Sequence, residues 1–245
     1  MISVTVDASS VMSALDRFGT QTAPFLTAKV LTNAAFKARD ALATEMQSVF
    51  DRPTPYTLRS PWVTPAVQGD PNPAAIVGIK DFGGGGVPPW KFLMHHIEGG
   101  PRREKASERQ MRATGILPTG WSIIPARGAE LDAYGNITGA QMVKILSAIN
   151  AFTEVGYSAN AYGKRGRGKR RGESYFAIRP GHPGLPPGIY RRTPQGGHIM
   201  VFTFGKTPQY SPRFDFDGIV REAVETYVGR VAAAVMREAM QSAAR

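Results

Sequence analysis

The sequence offers few groups of side chains that could perform chemistry. His95, His96 and Glu98 come closest to a metal-binding or acid–base group. Their spacing differs from the HExxH pattern of metalloprotease helices, and adjacent residues on a strand point to opposite faces. We therefore interpret these residues as structural, and a metal-dependent hydrolase is the least favoured function.

Two other patterns resemble sites only in composition. Asp215 and Asp217 could pair as carboxylates, but they precede an apolar periodic stretch, where Asp217 is expected to cap a helix and favour its dipole. The glycines at 83–86 lack the Lys–Ser/Thr pair of a phosphate-binding loop. The sequence has no cysteine, which excludes thiol chemistry and disulfides. It predicts neither enzymatic activity nor a cofactor.

The strongest electrostatic feature is a basic run in a chain of formal net charge +11. Six of these charges lie within eight residues: Lys164, Arg165, Arg167, Lys169, Arg170 and Arg171. The remaining +5 is unremarkable for a chain of 245 residues. The run could bind nucleic acid phosphates beside Tyr157, Tyr162 and Tyr175, dock on an acidic protein surface, or be a solvated loop. These three interpretations stay open.

Hydrophobic periodicity predicts the elements that position these groups. Between Pro24 and Phe50, apolar residues recur at three- and four-residue steps, which predicts a long helix that ends at Asp51-Arg52-Pro53. Its apolar face consists of Leu31, Ala35, Ala38, Leu42, Met46 and Val49. A final amphipathic helix is expected from about Gly218 to Ala244, and another helix, capped by Thr138, over 136–150.

The stretches between the helices mostly show the patterns of strands. Strands are expected at 2–6 and 74–80, and an antiparallel meander at 175–179, 188–192 and 198–204. We expect the meander to cover the long helix. The stretch 89–98 fits a strand or a helix, and 102–112 a short exposed helix. The sequence therefore predicts an α+β fold, with long N-terminal and C-terminal amphipathic helices packed on a mostly antiparallel β-sheet.

The chain is predicted to be a single domain over 1–245, with a loop-rich insertion at 83–173 that includes a flexible basic loop at 156–173. The proline-rich stretch 53–65 predicts an extended surface arm. Aromatic residues that could anchor a neighbouring subunit or partner are Tyr56, Trp62, Trp90, Phe92 and Tyr210. The N-terminus lacks a signal-peptide pattern, and no stretch approaches the roughly 20 apolar residues of a membrane span.

The order of elements resembles a known family. A strand and short helix (VTVDASSVMSALDRF) precede a long helix with a proline-rich end (VLTNAAFKARDALATEMQSVFDRPTPYTLRSPWV), and the chain closes with IVREAVETYVGRVAAAVMREAM. This layout resembles the minor tail protein Z and tail-completion (neck) proteins of long-tailed bacteriophages. About the first 80 and last 50 residues carry the likeness, whereas the middle is larger than in compact members.

The resemblance implies a structural virion protein that assembles in the host cytoplasm. Such a protein forms a ring, usually sixfold, between the head connector and the tail tube, and its partners are copies of itself, connector and tube proteins. The basic loop would then face packaged DNA or an acidic neighbouring ring. The alternative function is a nucleic-acid-binding protein that uses Lys164–Arg171.

Overall fold

The computed structural model describes residues 3–6, 23–68, 70–82, 86–151 and 175–243, with the backbone alone at 5–6, 23–26, 232–233 and 235–243. The structure is of the α+β class with antiparallel sheets, as predicted. It divides into two compact units. The first unit comprises Met1–Gly99 and Ser211–Arg245, and the second unit is Gly100–Tyr210. The short helix predicted at 9–18 and the basic loop at 156–173 lie outside the described residues.

Six helices and nine strands make up the described part of the chain. The helices are α1 (Ala23–Val49), α2 (Pro55–Leu58), α3 (Pro89–Ile97), α4 (Ala106–Ala113), α5 (Gly139–Ala148) and α6 (Phe216–Ala243). The strands are β1 (Ser3–Val6), β2 (Pro61–Thr64), β3 (Ala75–Ile79), β4 (Gly100–Pro101), β5 (Trp121–Pro125), β6 (Tyr175–Ile178), β7 (Gly188–Arg192), β8 (His198–Lys206) and β9 (Gln209–Tyr210).

Helix α1 is the centre of the first unit. It packs against β2 and β3 of a three-stranded antiparallel sheet of order β1-β3-β2, and also against α6. It buries the side chains of the predicted apolar face except the half-buried Val49, and it buries Ala28 and Ala34 as well. The helix ends before Arg52, which adopts a left-handed φ of 46° next to Pro53. The prediction that the meander covers α1 is therefore wrong, because α1 is covered within its own unit.

The proline-rich stretch after α1 is part of the fold, so the predicted extended arm is wrong. Thr54 caps the short helix α2 by accepting a hydrogen bond from the Thr57 backbone N–H at 3.2 Å. Ser60 is fully buried, and its carbonyl accepts the N–H of Lys80 at 3.0 Å. The following strand β2 then pairs antiparallel with β3. Prolines are tolerated here because β2 is an edge strand with one partner among the described strands.

The second unit has its own core. Strands β6, β7 and β8 form the predicted antiparallel meander, and β5 joins it to give a four-stranded sheet of order β5-β8-β7-β6. Helices α4 and α5 cover one face of this sheet through Met111, Ile145 and Leu146. The strands after residue 174 thus belong to the inserted unit, whose bounds, Gly100 and Tyr210, differ from the predicted 83 and 173.

A buried carboxylate ties the second unit together. Glu108 of α4 is only 1% exposed, although the sequence predicted an exposed helix here. Its Oε1 atom accepts hydrogen bonds from the Arg102 guanidinium and from the Ile123 backbone N–H at 3.0 Å, and its Oε2 atom accepts the Lys105 N–H at 2.8 Å. Glu108 therefore links the start of the unit, α4 and β5.

Two caps fix the remaining helices. Thr138 caps α5 as predicted, since its hydroxyl accepts the Gln141 N–H at 3.3 Å. At α6 the cap is Asp215, which accepts the Gly218 N–H at 2.9 Å, and the predicted cap Asp217 lies in the first helical turn instead. The predicted cap was two residues late, because the helix begins at Phe216 and not at about Gly218.

Deletion of residues 53–65 is expected to unfold the first unit, because it removes β2 and the buried Ser60. Circular dichroism and thermal melting of the deletion variant measure this outcome. A variant that keeps its α1 and sheet signals and melts like the wild type would show that the segment is a dispensable arm.

Replacement of Glu108 by Ala is expected to lower the free energy of unfolding by about 3–5 kcal/mol, because it leaves Arg102, the buried Ile123 N–H and the part-buried Lys105 N–H without their acceptor. Glu104→Ala is the matched control. Its ion pairs with Arg109 and Arg112 are part-exposed, so the expected loss is at most about 1 kcal/mol. Urea denaturation compares the two, and equal losses would contradict the assigned role.

Candidate functional site

The first unit carries an exposed apolar patch at the end of the sheet where α2 and α3 lie. Tyr56 is 43% exposed, its ring centroid lies 6.5 Å from that of Phe92, and its hydroxyl donates a hydrogen bond to the Val87 carbonyl at 3.2 Å. Val87 is 62% exposed. Phe82, in the same connection between β3 and α3, is 69% exposed. We call Tyr56, Val87 and Phe92, which are linked by the contacts of Tyr56, the apolar patch.

The structure separates the five predicted contact residues. Tyr56 and Phe92 meet in the apolar patch. Trp90 is half-buried on α3 and packs, like Phe92, against the core of the first unit. Trp62 is half-buried on the edge strand β2. Tyr210 is half-buried on β9 in the second unit, where it pairs with Gly100. Sequence reasoning missed Phe82 and Val87, whose exposure cannot be read from their types.

His96 has a structural environment on α3, a helix and not the strand considered for it. Its Nδ1 accepts a hydrogen bond from Arg213 Nε at 3.0 Å, and its carbonyl accepts the N–H groups of Arg213 and Phe214. The Arg213 guanidinium also lies 5.3 Å from the centroid of the Phe50 ring. Burial, followed by the charge of Arg213 and the neighbouring His95, lowers the pKa of His96 from 6.5 to about 4. Through these hydrogen bonds, the neutral His96 holds residues 213–214, which lead into α6.

No metal centre forms in the described part of the chain, where no three His, Cys, Asp or Glu side chains converge. A groove of about 480 Å³ runs between α1 and α6, with Lys37, Glu45, Glu222 and Arg230 among its lining residues. Because the groove is lined by charges of both signs, its charge favours neither an anionic nor a cationic ligand. None of the described helices is both long and apolar enough to cross a membrane.

Charge is divided unequally between the two units. The second unit contains 17 Lys and Arg and 6 Asp and Glu, a net charge of +11, whereas the first unit contains 13 of each. The +5 that remains outside 164–171 therefore belongs to the second unit alone. The basic run itself lies outside the described residues, so its predicted contacts stay a prediction.

The face of the four-stranded sheet opposite α4 and α5 carries aromatic and basic side chains that sequence reasoning had not singled out. The Phe176 and Tyr190 rings stack with centroids 5.5 Å apart and an interplanar angle of 17°. The His198 ring meets both edge-on, and the Arg192 guanidinium lies 4.9 Å from the Phe176 centroid. We call these four residues the aromatic–arginine cluster. The sequence did hold a signal for this cluster. The adjacent pairs of large side chains at 175–176 and 189–190 place one member on each face of their strand, so the face away from the core also carries aromatic rings.

Comparisons with protein-family models, curated proteins and solved structures found no match for this chain. Proposals about the function therefore rest on the sequence and on the geometry of the described residues.

The free energy of unfolding is expected to fall as the pH drops from about 6.5 to about 4. Over this window the unfolded chain protonates His96 while the folded ring, with its lowered pKa, stays neutral. Because solvent screens this half-exposed site, we expect a loss of about 1 kcal/mol.

Urea denaturation at pH 7 and pH 4.5 measures this loss, and His96→Gln should lose that much less stability than the wild type. Gln retains an acceptor for Arg213. His182→Gln, at an exposed position in a loop of the second unit, is the control and should follow the wild type. Identical pH dependence in His96→Gln and the wild type would contradict the assignment.

Proposed function

We propose that this chain is a structural protein of a tailed bacteriophage virion. It completes the neck or tail by forming a ring of identical subunits, with six as the expected number, between the head connector and the tail tube. It acts by assembly in the host cytoplasm and needs no cofactor. The observation that carries the proposal is the apolar patch of the first unit.

The patch has the chemistry of a subunit interface. Val87 and Tyr56 are each more than two-fifths exposed, and the Phe92 ring lies 6.5 Å from the Tyr56 ring. Adjoining exposed apolar side chains are typical of a binding surface, whereas single ones are common on monomeric proteins. Aromatic anchors account for much of the binding energy in interfaces, and Tyr56 adds a hydroxyl already fixed by Val87.

The three-stranded sheet supports assembly in a second way. Its edges are β1 and β2, each paired on one side only among the described strands. Exposed edges can accept a strand from a neighbouring subunit, and rings are built from such repeated heterologous contacts. Trp62 lies on the β2 edge.

The resemblance to tail-completion proteins agrees in part with the division of the chain. Of about the first 80 and last 50 residues that carry it, β8 and β9 belong to the second unit, whereas the first stretch and the part after residue 210 lie in the first unit, Met1–Gly99 and Ser211–Arg245. These sequence-distant parts share one core around α1. The second unit then corresponds to an elaboration of the compact plan.

Val87→Asp is expected to weaken assembly at least tenfold, since a stable interface buries about 800 Å² per partner and a desolvated charge opposes it. Light scattering and sedimentation velocity measure the oligomer as a function of concentration. Val67→Asp is the matched control, because Val67 is 66% exposed and lies away from the apolar patch. The N–H of the adjacent Ala66 donates a hydrogen bond to the Thr32 hydroxyl, in the N-terminal half of α1, whereas α2 and the patch follow the C-terminal end of α1. Both variants should melt like the wild type.

Two outcomes would contradict the proposal. The first is a wild-type protein that stays monomeric at high concentration, both alone and when mixed with connector or tube protein. The second is assembly of Val87→Asp with wild-type affinity, which would remove the patch as the interface.

A further inference from the structure

Two neighbouring arginines on β7 have different environments. Arg191 faces the side of the sheet that α4 and α5 cover, and its Nη1 lies 2.6 Å from Glu130 Oε1. Arg192 faces the other side, is exposed, and takes part in none of the ion pairs found among the described residues. Its described contact is the Phe176 ring. Arg191 is thus held by an ion pair within the fold, whereas Arg192 is exposed and lies over the Phe176 ring.

The aromatic–arginine cluster forms a layered surface. Tyr190 is buried, and its hydroxyl donates to the Pro186 carbonyl at 2.8 Å, which fixes the ring. Phe176 stacks beside it, and the planar guanidinium of Arg192 lies over Phe176. The exposed His198 borders both rings. The surface therefore presents flat groups and hydrogen-bond donors that are positioned by a rigid sheet.

The electrostatic surroundings of this surface favour an anion. The sequence from Tyr175 to Tyr210, which holds β6, β7 and β8, contains four Lys and Arg and no Asp or Glu. The whole second unit carries +11. A polyanion is attracted to such a field and releases bound counterions when it binds.

We propose that the aromatic–arginine cluster of the second unit binds single-stranded nucleic acid. A base stacks on the outer face of the Arg192 guanidinium, which lies over the Phe176 ring, while the guanidinium edge donates hydrogen bonds to a backbone phosphate. Single strands fit this surface because their base faces are open, whereas a duplex keeps its bases stacked on one another.

The aromatic rings distinguish this ligand from an acidic protein. A carboxylate partner needs the positive charge alone, whereas stacking on Phe176 and Arg192 needs a planar aromatic ligand. The inference is independent of the virion proposal, since it uses residues of the second unit only. It also differs from the prediction for Lys164–Arg171, because it uses four other residues, on β6, β7 and β8.

Fluorescence anisotropy with a labelled oligothymidylate of about 15 nucleotides tests the proposal in the full-length protein. Phe176→Leu and Arg192→Gln should each weaken binding about tenfold. Phe176→Tyr keeps a stacking ring and should bind within about twofold of the wild type. Lys144→Gln removes one charge from exposed α5, on the covered side of the sheet, and should also stay within about twofold. Thermal melting verifies that each variant is folded.

The same variants are then measured in a background where the six basic residues at 164–171 are replaced by Ser and Gly. Affinity should fall overall, and the about tenfold effect of Phe176→Leu should persist. The proposal is overturned if the wild type does not bind, if Lys144→Gln costs as much as Arg192→Gln, or if Phe176→Leu has no effect. It is also overturned if a duplex binds as tightly as the single strand, or if polyglutamate competes as well as the oligonucleotide.

Val87→Asp separates this inference from the proposed ring. That variant should lose assembly and keep its affinity for the oligonucleotide per subunit. Loss of both would show that the cluster binds only within an oligomer, and would overturn the independent site.

Discussion

The close burial of α1 on two sides is the constraint on which the first unit depends. A helix that packs against a sheet and a second helix at once needs small residues where both neighbours approach. Ala28, Ala35 and Ala38 meet this need and are fully buried, whereas Leu31 and Leu42 fill the wider gaps. Because interiors are packed like crystals, a larger side chain at the alanines would have to displace the sheet or α6. The partners of α1 come from both ends of the chain, so its packing closes the unit.

Much of the secondary structure could be predicted from the sequence, because periodicity reports which side of an element is apolar. The meander, the helix capped by Thr138 and the strand at 75–79 follow directly from such patterns. What covers an apolar face is set by distant segments that no local pattern identifies. The meander and α1 each have an apolar face that must pack against something. The sequence does not show that α1 packs within the first unit and the meander against α4 and α5. The prolines of 53–65 led to the wrong prediction of an extended arm for a similar reason. Part of this stretch is the edge strand β2, and edge strands tolerate proline.

The candidate surfaces were predicted only in part. Tyr56 and Phe92 were recognised by type, but their meeting with Val87 depends on the connection after β3. Glu108 reads as one more charge in a mixed helix, and only the fold shows that three donors converge on it. His96 similarly has its pKa lowered first by burial and then by the charge of Arg213, more than a hundred positions away. The net charge of the whole chain follows from the sequence, but its location in the second unit became visible only once the bounds of the two units were known.

The short pairing of β4 with β9 has a consequence for the history of the chain. Gly100 faces Tyr210 across this pair, and Arg102 N–H bonds to the Pro208 carbonyl at 3.1 Å, so the second unit begins and ends at neighbouring points. A module with adjacent termini can be inserted into a host loop, or lost from it, in a single genetic event that leaves the host core intact. Such adjacent ends allow the basic unit to vary or be exchanged while the neutral unit around α1 keeps its packing.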